Sequence, residues 1–131
     1  MVLARDAKNV PQKILELQKL GIPYVIVCGE KVNHPNVVYR EAKGKWDAIN
    51  FGAKYIPDGT KIIIFNDVDN EIHHFEFSLN CLVSKADLVH CQIKVSEGPQ
   101  IMFYRIVNPI RQKFNMFASG DLMLIKRDVF E

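Results

Sequence analysis

Short apolar runs alternate along the chain with longer segments whose apolar residues recur every three or four positions. That alternation predicts strands and helices in turn. Residues 10–20 carry Val10, Ile14 and Leu17 at helical spacing, with Leu15 and Leu20 beside them. Pro11 suits the first turn of that helix and Gly21 its end. A continuous apolar run at residues 22–28 predicts a strand, and residues 37–40 predict a shorter one. Gly44 opens a second helix over 45–56, whose Trp46, Ile49, Ala53 and Ile56 share one face and are expected against a sheet. Residues 62–65 form a short, β-branched apolar run between turn residues, the profile of a central strand covered on both faces. Ile72, Phe75, Leu79 and Leu82 predict a third helix over 71–84. Residues 87–96 alternate strictly, with Val89, Cys91, Ile93 and Val95 against His90, Gln92, Lys94 and Ser96. One face of that strand is expected to meet solvent or line a cleft.

Residues 100–117 are aromatic, basic and interrupted by Pro109, which predicts two helical pieces or one kinked helix. The bland expectation for it is an amphipathic flap packed on the sheet. Residues 122–126 read as a last strand, and Asp128 as the cap of a helix that begins at 127. Val2, Leu3 and Ala4 read as the tail of a first strand. The order defines an α/β protein, a sandwich of helices around a mainly parallel central sheet, in a single domain over residues 1–131.

Charge and composition narrow the partners. The net charge of +2 does not call for nucleic acid. No apolar run approaches a membrane span, and Arg5, Asp6 and Lys8 interrupt any signal-peptide pattern. Cys28, Cys81 and Cys91 are odd in number and lie in apolar contexts. They read as reduced core cysteines of a cytoplasmic chain.

The candidate chemistry lies where the central strand ends. Asp67 and Asp69 leave it one residue apart, at the edge where open α/β sheets bind ligands. Neighbouring carboxylates repel each other, and a divalent cation relieves that repulsion. Mg²⁺ typically takes one or two protein carboxylates and completes its shell with phosphate oxygens and water. The bland counterpart is a pair of loop carboxylates that cap the next helix. His73 and His74 follow closely but read as surface residues, and His34 as a turn residue.

Four segments in order carry a resemblance. Ala4-Arg5-Asp6-Ala7 is similar to the Ala-Arg-Asn-Glu-like segment after the first strand of family 2 glycosyltransferases. Gly44-Lys45-Trp46-Asp47-Ala48-Ile49-Asn50-Phe51-Gly52 resembles that family's Gly-Lys…Ala-Leu-Asn-x-Gly helix. Ile62 to Asp69 resembles its strand ending in Asp-x-Asp. The segment from Ala118 to Glu131 resembles its Ser-Gly…Leu-Ile-Arg-Arg-x-Val-Phe-Glu stretch. The resemblance covers nearly the whole chain and is to the nucleotide-sugar-binding half of these inverting enzymes.

It implies a GT-A-like, Rossmann-like three-layer sandwich and a nucleoside-diphosphate-sugar donor. Asp67 and Asp69 are implied to hold Mn²⁺ or Mg²⁺ against the diphosphate. Arg5, Asp6, Glu30, Lys45 and Asn50 are implied to lie along the donor. Glu30 stands slightly out of place for the acidic residue with which the family reads its nucleotide. The resemblance also implies a chain truncated before the family's usual catalytic base, which leaves Asp121 as a candidate substitute base. The expected function is a metal-dependent, inverting glycosyltransferase with an acceptor that is a polysaccharide, a lipid phosphate or a protein. Two alternatives stand beside it. One is a non-catalytic nucleotide-sugar-binding module needing a partner chain or a homodimer. The other is a phosphatase-like enzyme with Asp67 as nucleophile and Asp69 as acid/base. Arg105, Arg111 and Lys113 among aromatic residues add peripheral membrane contact as an expectation.

Overall fold

A computed structural model describes residues 1–91, 95, 97–113 and 122–131. In chain order its elements are β1 (Val2–Ala4), α1 (Val10–Leu20), β2 (Ile26–Cys28), β3 (Val37–Tyr39), α2 (Lys45–Ala53), β4 (Ile62–Asp67), α3 (Phe75–Lys85), β5 (Leu88–His90), α4 (Gln100–Lys113), β6 (Met123–Lys126) and α5 (Arg127–Phe130). The six strands form one mixed sheet in the order β3-β2-β1-β4-β6-β5. β3, β2, β1 and β4 run parallel. β6 lies antiparallel between β4 and β5, a reversal that nothing in its short apolar run announces. The protein is therefore α/β with a mostly parallel sheet, compatible with a Rossmann-like fold.

Strand alternation divides the core between two faces. On one face Val2, Ala4, Ile26 and Cys28 pack under Val10 and Leu17 of α1. On the same face Leu124 and Val89 pack under Leu82 and Leu79 of α3. The opposite face carries Leu3, Ile63, Phe65 and Ile125 against Ile49 of α2 and Phe130 of α5. β4 thus sends Ile62, Ile64 and Asn66 toward the α1/α3 side, and Ile63, Phe65 and Asp67 toward the α2/α5 side.

Local chemistry sets the element ends. Helix α1 has its expected bounds and stops at Gly21, which takes φ 65° and donates its N–H to the Gln18 carbonyl. Strand β2 begins at Ile26 and not at residue 22, because Pro23 has no N–H to give a ladder. Helix α3 begins at Phe75, after His74 has entered the left-handed region at φ 54°. Helix α2 ends at Ala53 and approaches the sheet through Gly52. A Cβ there would lie 2.8 Å from Val27 Cγ2 and 2.7 Å from Met1 Sδ. Trp46 was expected against the sheet but is 76% exposed. Ile49 and Gly52 make the contact in its place, a turn further along.

Pro109 lies inside α4 as one continuous helix over its described span. Met102, Phe103, Ile106 and Ile110 are exposed along it, while Ile101, Tyr104 and Val107 on its other side are half-buried. Arg111 places its guanidinium 5.8 Å from the Tyr104 ring. Among the described residues no helix is long and apolar enough to cross a membrane.

Candidate functional site

The strand order turns at β1 and β4. From β1 the chain proceeds through α1 to β2 and β3 on one side, while β4 pairs with the other edge of β1. In open α/β sheets, ligands bind outside the carboxyl ends of the strands at such a switch point. Here the crevice is bounded by the loops after β1, β2 and β4.

Two backbone bonds and one from backbone to side chain bring those loops together. Val68 donates to the Leu3 carbonyl at 2.9 Å, and Gly29 donates to the Ala4 carbonyl at 2.9 Å. Gly29, Arg5 and Val68 therefore follow one another across the sheet edge. The third bond ties the second loop to the first: Glu30 Oε2 accepts the Ala7 N–H at 3.0 Å. The approach is close enough that a Cβ on Gly29 would stand 2.3 Å from the Arg5 carbonyl oxygen. Only glycine fits there without moving backbone. Asp6 Oδ1 accepts the Lys8 N–H at 3.0 Å, which folds the first loop on itself. The Arg5 side chain is exposed beside it.

Asp67 is the partly buried carboxylate of this edge. Its register partner is Leu3, so its side chain leaves β4 toward α2. Lys45, the first residue of α2, approaches its two oxygens at 3.1 and 3.2 Å. These distances exceed the roughly 2.7–2.9 Å of tight charge-assisted bonds, so the pair is loose. Burial raises the Asp67 pKa above the usual carboxylate range; Lys45 opposes that and Asp69 adds to it. Asp69 is exposed. Two hard carboxylates at the crevice mouth, one partly desolvated, suit Mg²⁺ or Mn²⁺ that draws its remaining ligands from phosphate and water. Among the described residues no group of three or more His, Cys, Asp or Glu side chains converges to hold a metal ion.

Other residues singled out in the sequence fall elsewhere. Asn50 is exposed on α2, five residues beyond Lys45 and so about 140° round the helix from it. Asp47 is bound at both oxygens by Arg40, at 2.7 Å each. The Arg40 hydrogen bonds hold its pKa below the usual carboxylate range. His73 lies 3.3 Å from Glu71, before α3 begins. Asp121 lies outside the described residues.

One residue behind the crevice escaped sequence reasoning. Lys13 sits on the buried face of α1, 3% exposed, where Leu15 had been expected to help. Its Nζ donates to Glu16, to Asn66 Oδ1 at 2.9 Å and to the Asn70 carbonyl at 2.6 Å. Glu16 in turn accepts the Ile72 N–H at 2.6 Å. This group pins the Asp67–Asn70 turn to α1 from beneath. The available signal was spacing: Lys13 precedes Leu17 by four and follows Val10 by three, squarely in the stripe.

No protein-family model matches the chain, and no curated protein or solved structure matches it.

Proposed function

We propose that the protein binds a nucleoside-diphosphate sugar at this crevice through Asp67, Asp69 and a divalent cation, as the donor half of an inverting, family 2-like glycosyltransferase of GT-A-like fold. The observation that carries the proposal is the position of Asp67: a half-buried carboxylate of raised pKa at the strand end beside the switch point, loosely held by a lysine. Such a carboxylate gains from a cation and has a partner that can move aside. The strand order and the four segments resembling that family support the same reading.

In this reading the diphosphate lies between the loop carrying Arg5 and the turn carrying Asp67 and Asp69. Lys45 and Arg5 supply positive charge from the protein. The cation, when bound, acts as a Lewis acid on the leaving diphosphate. An acceptor hydroxyl oxygen forms the new bond to the anomeric carbon as the carbon–oxygen bond to the diphosphate breaks. The diphosphate leaves with the electron pair, and the hydroxyl proton passes to a carboxylate base. Lys45 is then released from Asp67 toward the phosphates, a movement that its exposed position permits.

The test is Asp69→Ala. Asp69 is exposed and has no hydrogen-bond or ion-pair partner among the described residues, so the variant should melt like the parent while its Mn²⁺-dependent nucleotide binding falls by at least tenfold. Metal-dependent affinity that survives the change would refute the assignment.

A further inference from the structure

Between β5 and β6 the chain leaves the sheet and returns to it. Cys91 donates its N–H to the Leu122 carbonyl at 2.9 Å and closes the base of this excursion. The base stands at the crevice edge of the sheet, since His90 pairs with Met123 and Met123 with Phe65, just before Asp67. The described helix of the excursion is α4.

One side of α4 is half-buried. Ile101, Tyr104 and Val107 lie there, and Arg111 packs its guanidinium over the Tyr104 ring. The other side is bare and apolar. Met102 and Ile106 are 70% and 64% exposed, with Phe103 and Ile110 exposed beside them. At about 100° per residue, these four positions fall within an arc of roughly 100°. A surface helix of a globular domain turns such an arc toward the core. Here it faces outward, and large apolar side chains grouped in this way mark an interaction surface.

Charge says what covers it. From Gly98 to Gly120 the chain has no acidic residue, while Arg105, Arg111 and Lys113 all lie in α4. Those three exceed the net charge of +2 of the whole protein, so its positive balance resides in this helix. Arg111 is turned to the half-buried side. Arg105 and Lys113 are exposed, one flanking the apolar arc and the other at its C-terminal end. Arg105 has no ion-pair partner among the described residues. A second copy of the chain would bring these like charges together. A bilayer with anionic headgroups accepts both the apolar arc and the cations around it.

Length fixes the orientation. The 14 residues of α4 extend about 21 Å, short of a hydrocarbon core of about 30 Å. Pro109 gives no N–H to the Arg105 carbonyl, an omission that headgroup water can meet and hydrocarbon cannot. The helix is therefore suited to lie along a membrane surface and not across it.

We propose that α4 docks on an anionic lipid bilayer, with Met102, Phe103, Ile106 and Ile110 inserted below the headgroups and Arg105 and Lys113 at the level of the phosphates. The crevice edge of the sheet, from which α4 hangs, is then held at the membrane surface. The proposal does not depend on the nucleotide-sugar reading, because none of the donor residues takes part.

The test is flotation of the protein with vesicles of phosphatidylcholine alone, or of phosphatidylcholine mixed equally with phosphatidylglycerol. Each cation near an anionic surface tightens binding about fivefold, so Arg105 and Lys113 should make binding to the mixed vesicles roughly thirtyfold tighter. Arg105→Gln should cut that preference about fivefold. Met102→Ser/Ile106→Ser, at two exposed positions, should weaken binding by about tenfold or more and leave the melting curve unchanged. No binding of the wild-type protein to the mixed vesicles, or equal binding to both kinds, would overturn the proposal. Undiminished binding by the serine double variant would overturn it too. So would a dimer in solution that this variant dissociates, since the face would then belong to a second copy. The wild-type comparison decides the matter even if a variant does not fold.

Discussion

Replacing Lys13 by methionine probes how the candidate site is held. The aliphatic stem survives in the variant, but three donated bonds vanish at once: those to Glu16, Asn66 Oδ1 and the Asn70 carbonyl. Asn66 is then left with neither amide atom bonded, since its Nδ2 already lacks a partner among the described residues. Removing one member of a buried ion pair typically costs about 3–5 kcal/mol, because the other charge stays behind unpaired. Glu16 keeps the Ile72 N–H, and its side chain is 24% exposed. That places the expected loss near the lower end, about 3 kcal/mol. Domains of this kind have about 5–15 kcal/mol in total, so the loss is large. Urea unfolding followed by circular dichroism would show it as a lower midpoint with an unchanged slope. The double variant Lys13→Met/Glu16→Gln should recover part of the loss, since the stranded charge is gone. A loss below about 1 kcal/mol would refute the claim that Lys13 braces the turn beneath Asp67.

Two further outcomes follow from the crevice. Gly29→Ala must push the Arg5 backbone away, because the contact is with a carbonyl and not with a flexible side chain. We expect about 1–3 kcal/mol of destabilisation and weaker nucleotide binding; an unchanged melting curve would contradict the close approach of the two loops. The raised pKa of Asp67 gives a pH dependence of definite sign. Between the ordinary carboxylate value and its higher folded value, the native state binds more protons than the unfolded chain. Asp67 therefore supports folding at low pH, and that contribution is lost as pH rises through the window. Asp67→Asn, which stays neutral, should gain stability relative to the parent across the same window, as urea midpoints measured from acid to neutral pH would show. A constant difference would contradict the burial of the carboxylate.

Much of this was legible in the residue pattern, and the misses have physical causes. Helix α1 and the strand leading into Asp67 were readable because periodicity and end signals agreed there: Pro11 and Gly21 for the helix, a β-branched run for the strand. Lys13 was not, since a lysine reads as solvent-facing until its acceptors are known, and those acceptors lie more than fifty residues away. Trp46 was misread because aromatic bulk suggested burial, whereas Gly52 lets α2 sit too close to Val27 for the first turn to share the contact. The late start of α3 depends on the Ile72 N–H bonding to Glu16, a tertiary contact that no local propensity encodes. The antiparallel course of β6 is set by its pairing with β4 and β5, and its own short apolar run is equally suited to either direction. At the site, the Asp67 strand end was legible from the chain alone, but its pairing with Lys45 and the bond between the Glu30 carboxylate and the Ala7 N–H required the fold.

The most direct test of the central claim is a calorimetric titration of the wild-type protein with UDP, GDP and their sugars, with and without Mn²⁺. Saturable binding of one nucleotide that requires the metal is the result predicted by a donor site at Asp67 and Asp69. Binding that ignores the metal, or no binding of any nucleotide with metal present, would contradict it.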